Sequence, residues 1–220
     1  MPAPWNRLPP ATLGTCEPHL AGWIVHPAET LSAVAYLIVG LALWMNVRRT
    51  NEPAGAGRLA GFVVAMGLSS MLFHSSLTAI LQAVDLASIF LLTGYLLALM
   101  LVGWGYFDRR LFSRSFVVLG VGGATLPFLN LWIGFAGLLA QGFAILWLGY
   151  RNVSADTQRA YWMAVRLLVP GAVLLALDHA NVGCVRGTLA HVIQPHVVWH
   201  LLSAGGIFFL ARSLRTLIRN

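Results

Sequence analysis

A stretch of 36 residues without a charged side chain, residues 115–150, limits the possible folds of this chain most strongly. As one helix it would be about 54 Å long at roughly 1.5 Å per residue, whereas the hydrocarbon core of a bilayer is about 30 Å thick. Arg114 and Arg151 stand at its two ends, which indicates that both ends lie on the same side of a membrane. We therefore predict two spans, 115–130 and 131–150, with the turn at 127–130.

Composition extends this interpretation to the whole chain. Hydrophobic residues make up 58% of the sequence and charged residues 10%, far from the roughly 25% charged residues of soluble domains. The other apolar runs predict spans at 29–47, 59–81, 84–106, 161–179 and 195–213. We expect an all-α membrane protein, a seven-transmembrane-helix bundle forming one domain over residues 1–220, with residues 1–28 as a retained extramembrane segment.

The arginines predict the orientation of this bundle. Cytoplasmic loops hold an excess of positive residues. If the seven spans cross the membrane in alternating directions, twelve of the fourteen arginines lie in loops or at span ends on the same side. Only Arg7 and Arg186 fall on the other side, so the N-terminus is expected outside and the C-terminus in the cytoplasm. The net charge of +7 is thus a topology signal and gives no support to nucleic-acid binding.

Three histidines suggest a metal site near the outer ends of the spans. His196 and His200 are spaced i, i+4 just after Pro195, so both rings share one face of the last helix. Ser70 and His74 repeat this spacing in the second span. Three histidines with one open position are typical of catalytic zinc. Helix packing by the same rings is the alternative.

Two aspartates are expected at the same outer level. Asp85 near the start of span three is expected to be catalytic or to orient an imidazole that binds the metal. The alternative is that it only caps the helix. Asp178 at the end of span six is expected to pair locally with His179. The two cysteines, Cys16 and Cys184, both fall on the outer side, where an oxidising environment favours a disulfide between them.

Several of these motifs occur in an order that resembles the alkaline ceramidase family, a group of seven-helix membrane hydrolases. The resemblance rests on Cys16-Glu17, Glu29-Thr30-Leu31-Ser32, Ser70-x-x-Phe73-His74, Asp85, Asp178 followed by Cys184, and His196-x-x-Trp199-His200. It covers nearly the whole chain.

The resemblance implies a zinc-dependent amidase that cleaves the N-acyl bond of ceramide or a related lipid amide to a sphingoid base and a fatty acid. His74, His196 and His200 match the zinc ligands, and Ser70 and Asp85 match the family's serine and aspartate beside the metal. The family's animal members also carry a calcium site near the N-terminus, of which only Glu17 is plainly present here, with Glu29 as a second candidate ligand at a shifted position. Because Ca²⁺ takes six to eight oxygen ligands, we expect weak calcium binding here, or none.

A second class of function stays open. A seven-helix receptor or transporter would use the histidines as a structural or proton-linked site, and a structural metal would have a fourth protein ligand such as Asp85 or His191. For the enzyme, we expect a multi-pass protein of a bacterial inner membrane, with its site towards the periplasm and a membrane lipid as substrate.

Overall fold

The computed structural model describes residues 3–50 and 54–219. Those residues contain seven helices long and apolar enough to cross a membrane, and no β-strand. We number the spans one to seven in chain order: Pro27–Arg49, Gly55–Ser76, Ala79–Gly103, Arg109–Leu129, Leu131–Asn152, Ala155–His179 and Gly187–Ser213. The seven spans expected from the sequence are therefore present, in the fold of a multi-pass membrane protein.

Some spans are continuous helices and others are broken. Span one consists of α1 (Pro27–Ser32) and α2 (Val34–Thr50), and spans two and three are α3 (Ala54–Ser76) and α4 (Ala79–Gly103). Span four joins a 3-10 turn (Arg109–Leu111), α5 (Phe112–Phe116), a π-helical segment (Val117–Gly122) and α6 (Gly123–Leu129). The last three spans contain α7 (Leu131–Asn152), α8 (Ala155–His179) and α9 (Pro195–Ser213), and α10 (Arg215–Arg219) follows.

The long uncharged stretch turns back at Asn130, which confirms the predicted turn. The backbone of Asn130 is extended (φ −159°, ψ 126°), which ends α6. Its side-chain oxygen accepts hydrogen bonds from the backbone N–H groups of Trp132 (2.9 Å) and Ile133 (3.2 Å). Asparagine is favoured at this position because its oxygen satisfies N–H groups that have no partner within the new helix.

The π-helical segment packs closely on α4. The backbones of Gly94 and Gly120 touch, so that a Cβ on Gly94 would overlap the Gly120 backbone. The wider helix also frees the Leu119 carbonyl, which accepts a hydrogen bond from the Gln141 side-chain amide (2.7 Å). Span four is thereby fixed to both α4 and α7.

The helices pack in two groups around a shared apolar core. In one group α3 lies between α2 and α4, and α4 also packs against α6 and α7; in the other, α8 packs along α9. The groups meet where α9 contacts α1 and α2, and the core includes Val63, Leu92, Met100 and Leu210. Contacts between α7 and α8 are sparse. They include Tyr161 with Leu146 at one end and Phe135 with His179 at the other.

Two predicted boundaries near the candidate site are wrong. Span two was expected to continue to residue 81, but α3 ends at Ser76, where Leu77 adopts a left-handed conformation (φ 49°). Span three therefore begins at Ala79, with Thr78 at its N-cap, and not at residue 84. Asp85 consequently lies in the second turn of α4 and does not cap it. The apolar runs are sufficient to locate these two spans. The tight turn between them depends on the left-handed backbone of Leu77, which the apolar pattern does not predict.

Candidate metal centre

Three imidazoles meet where the end of α3 faces the start of α9. The ring centre of His74 lies 4.8 Å from that of His196 and 5.1 Å from that of His200, and the latter two are 4.7 Å apart. All three side chains are buried, and each offers a ligand atom within 4.8 Å of those of the others. Pro195 occupies the first turn of α9, where its missing N–H costs nothing, and the i, i+4 spacing brings both α9 rings to this face.

Side chains from two other helices orient the rings on α9. The Nδ1 atom of His196 lies 3.0 Å from Oδ2 of Asp178, and that of His200 lies 2.7 Å from Oγ of Ser32. The Ser32 hydroxyl donates its own proton to the Glu29 carbonyl (2.9 Å), so its oxygen accepts from His200. Both rings are thus assigned a proton on Nδ1, which leaves a lone pair on Nε2. Such outer hydrogen bonds are typical of metal-binding histidines.

The third ring, His74, stands against the carboxylate of Glu29. Its Nδ1 atom lies 2.8 Å from Oε2 of Glu29, which is an ion-pair distance, but the two groups are not aligned for a hydrogen bond. The same oxygen accepts hydrogen bonds from Nδ1 of His26 (2.9 Å) and from the Thr15 hydroxyl (3.2 Å). Glu29 is completely buried, so it is the main negative charge beside His74.

Asp178 does not form the predicted local pair with His179. One of its oxygens contacts His196, and the other accepts the backbone N–H of Cys16 at 3.1 Å. His179 turns away and contacts the Gly14 carbonyl at 3.0 Å. The side chain of Asp178 is fully buried, and this is the reason for the difference: a buried carboxylate needs donors, and the fold supplies them from residues distant in sequence.

The predicted catalytic pair, Ser70 and Asp85, is brought to adjacent helices, but the two are not hydrogen-bonded to each other in the described residues. Asp85 instead accepts a hydrogen bond from Ser69 (3.2 Å), which also bonds to Ser88 (2.8 Å). Ser70 is buried on α3 one turn before His74. Among the described residues, Asp85 belongs to none of the groups of side chains that could hold an ion.

Glu17, the candidate calcium ligand, caps α1. Its two oxygens accept the backbone N–H groups of Ala28 (3.0 Å) and Glu29 (2.9 Å), and one of them also lies 3.2 Å from Nδ1 of His191. Among the described residues, Glu17 belongs to none of the groups of three or more acidic, histidine or cysteine side chains that could hold an ion. A buried carboxylate at a helix N-terminus has a structural role in its own right.

A disulfide fastens the N-terminal segment over this end of the bundle. Cys16 and Cys184 are bonded, with their Cα atoms 5.1 Å apart, in agreement with the prediction. The segment also bonds to the turn after α3, through Ala11 N–H to the Leu77 carbonyl (2.8 Å) and Val25 N–H to the Ser75 carbonyl (3.0 Å). Two hydrogen-bonded contacts lie directly beside the disulfide: the backbone N–H of Cys16 bonds to Asp178, and Glu17 accepts hydrogen bonds from the start of α1.

The rim of the site carries one exposed histidine, His19. Its ring centre lies 4.9 Å from that of His26. Partial burial, together with the neighbouring His26, lowers the pKa of His19. The groove of about 420 Å³ lined by Trp44, Val47, Arg48, Gly57 and Arg58 lies far from this rim. Arg58 is about 24 Å along α3 from His74, at roughly 1.5 Å per residue, so the groove is not part of the site.

Sequence reasoning gave no role at the metal to four residues that the fold brings to it. From the sequence, Glu29 and Ser32 stand only in a motif of the resemblance, Asp178 is expected to pair locally, and Ser69 has no predicted role. The available signal was that Glu29 and Asp178 are acidic residues at the edges of apolar spans, where ionisable groups mark functional sites by default. For Ser32 and Ser69 no sequence signal distinguishes the role found here.

Comparison with known proteins adds no assignment. No protein-family model and no curated protein matches this sequence. The functional argument therefore rests on the residues, on their geometry and on the resemblance stated above.

Proposed function

We propose that this chain is an intramembrane zinc-dependent amidase that hydrolyses the N-acyl bond of ceramide or a related lipid amide. The observation that carries the proposal is the buried group His74, His196 and His200, whose ligand atoms lie within 4.8 Å of one another. Imidazole nitrogens are preferred ligands of zinc, and three of them suit a catalytic site. Asp178 and Ser32 keep the Nε2 lone pairs of the two α9 rings free for a metal.

The absence of a fourth protein ligand favours an enzyme over a structural metal site. A structural zinc is closed by four protein ligands, whereas a catalytic zinc keeps one position open. Among the described residues, the two acidic side chains grouped with these histidines are held by other partners: Glu29 by His26 and Thr15, and Asp178 by the Cys16 backbone. Asp85 is held by Ser69, and His191 contacts Glu17, so both candidates for the fourth ligand are engaged elsewhere.

Asp85 and Ser70 supply the remaining chemistry in this proposal. Zinc, when bound, polarises an amide carbonyl and makes water a competent nucleophile near neutral pH. Ser69 holds one oxygen of Asp85, and the other is left to accept the proton of the attacking water and return it to the amine. Ser70 lies on the same face of α3 as His74 and is the candidate donor to the developing oxyanion.

The substrate class is the one that the resemblance to the alkaline ceramidases implies, and the position of the centre within the bundle is compatible with it. The histidines lie at the ends of membrane spans, so an amide must approach from the bilayer interface. The sparse contacts between α7 and α8 favour an opening between these helices through which acyl chains reach the centre. Phe135 on α7 and His179 on α8 would border this opening on the histidine side. A two-tailed N-acyl lipid fits such a lateral route.

The proposed orientation places the centre on the outer side of a bacterial inner membrane, facing the periplasm. The ends of α3 and α8 and the starts of α1, α4 and α9 lie at the histidine end, together with the disulfide. The arginines of the loops between spans one and two and between spans three and four, with Arg212, lie at the other end. Both the positive-inside rule and an oxidising compartment agree with this orientation.

The proposal is tested on one detergent-purified sample, by measuring zinc content and the release of fatty acid from ceramide and from other N-acyl lipids. We expect bound zinc and hydrolysis in the wild type, and loss of hydrolysis in His200→Ala. His19→Ala is the matched control, because it removes an exposed imidazole outside the three-histidine group. Full activity in His200→Ala contradicts the enzyme model. Bound zinc without hydrolysis of any lipid amide favours a receptor or transporter with a structural metal.

A further inference from the structure

A second cluster beside the three histidines has unusually poor hydrogen bonding. In the described residues, five buried side-chain nitrogen or oxygen atoms have no hydrogen-bond partner. Three of the five belong to one cluster: Nε2 of His26, Oε1 of Glu29 and Nδ1 of His74. Leaving a buried polar atom unpaired costs about 1–3 kcal/mol, so three in one place require an explanation.

The geometry of the cluster is that of a ligand set. His26, Glu29 and His74 are each at most 1% exposed, and each offers one ligand atom within 4.8 Å of the other two. Nδ1 of His74 lies 2.8 Å from the Glu29 carboxylate without hydrogen-bond alignment. An imidazole nitrogen and a carboxylate oxygen this close, without hydrogen-bond alignment, are an arrangement expected where both face one cation.

We propose that His26, Glu29 and His74 form a second metal site, which takes a divalent transition-metal ion such as Zn²⁺. Nδ1 of His74, the carboxylate of Glu29 and one ring nitrogen of His26 are its ligands. Two nitrogens and one carboxylate oxygen suit Zn²⁺, whereas Ca²⁺ requires six to eight oxygens. The Thr15 hydroxyl, 3.2 Å from Glu29 and 3.1 Å from His26, borders the site on the side of the N-terminal segment.

His74 connects the two centres. Its Nδ1 atom lies 2.8 Å from Glu29, and its ring centre lies 4.8 Å and 5.1 Å from those of His196 and His200, so in this proposal its imidazole bridges two ions. With two metal–nitrogen bonds of about 2 Å across one ring, the ions are roughly 6 Å apart. This exceeds the separation of about 3.5–4 Å typical of two-metal hydrolases. The second ion therefore fixes the position of the His74 ring and alters its properties as a ligand, and does not contact the substrate. Its uptake releases protons from the coordinating imidazoles.

Metal stoichiometry tests the second site without any activity measurement. Wild type, His26→Gln, His200→Ala and the double variant are saturated with Zn²⁺, passed through a desalting column, and analysed for zinc per protein. We expect two ions in the wild type, one in each single variant and none in the double variant. His19→Ala is the control for adventitious binding, because His19 is exposed near His26 but outside the cluster, and it should retain two ions.

Each outcome separates this site from the proposed amidase. One ion in the wild type, unchanged in His26→Gln, overturns the second site and leaves the amidase standing. One ion that is lost in His26→Gln but kept in His200→Ala retains the second site and removes the three-histidine centre. Should His26→Gln fail to fold, a competition titration of metal-stripped wild type with Zn²⁺ decides the question, since two binding steps support the second site and a single step refutes it.

Discussion

Replacing Asp178 provides the sharpest test of how the metal centre is held. Its two oxygens accept from His196 (3.0 Å) and from the backbone of Cys16 (3.1 Å), and its side chain is fully buried. Asp178→Ala leaves both donors without an acceptor. At about 1–3 kcal/mol for each unsatisfied donor, the substitution should destabilise the apo protein by roughly 2–6 kcal/mol. The removal of an outer partner of a ligand histidine should also weaken zinc binding by about 10–100-fold.

The two effects are separated by two measurements on each variant. Thermal unfolding of the metal-free protein reports the structural cost, and a chelator competition at a temperature where the variant is folded reports zinc affinity. Asp178→Asn keeps one oxygen acceptor but loses the charge, so we expect it to lie between wild type and Asp178→Ala in both assays. Asp156→Ala is the matched control, because this exposed carboxylate occupies the first turn of the same helix.

The result that would refute the reasoning is a folded Asp178→Ala with zinc affinity within about twofold of the wild type. Asp178 would then serve only to anchor Cys16, and the orientation of His196 would depend on packing alone. A fall in affinity for Asp156→Ala equal to that for Asp178→Ala would contradict the local explanation as well, because that control leaves the centre untouched.

Three further changes test other parts of the structure. Ser32→Ala removes the acceptor of His200, and should weaken zinc binding about tenfold in the same competition assay. Ser75→Ala should not, because among the described residues the Ser75 hydroxyl bonds only to the Leu72 carbonyl. Reduction of the disulfide, which joins residues 168 positions apart, should cost about 2–4 kcal/mol, seen as a lower melting temperature; an unchanged value in reductant would count against its role. Gly94→Val places a side chain against the Gly120 backbone and should cost about 1–3 kcal/mol or more, whereas Gly142→Ala meets no atom within 4 Å and should be neutral or stabilising; equal melting temperatures for the two would rule out the close contact.

The residues around the three histidines show which parts of the candidate site can be predicted from the sequence. The i, i+4 pair His196 and His200 follows from the helical repeat, which is a local property of the chain. Their partners do not follow from it: Ser32 is 168 positions from His200, and Cys16 is 162 positions from Asp178. Such contacts depend on how the helices pack, and neighbouring candidates such as Ser69 and Ser70 differ only in the face of α3 that they occupy.

Local sequence patterns were sufficient to predict the seven spans, the return of the chain at Asn130 and the three histidines that meet. These depend on apolar length, helical period and turn chemistry, each of which acts over a few residues to a few tens of residues. Only the tertiary structure decided that Asp178 holds His196, that Ser69 holds Asp85, and that Glu29 stands between His26 and His74. A buried polar group forms hydrogen bonds with the partners that helix packing brings to it, because leaving it unpaired costs more free energy than a local conformational preference contributes.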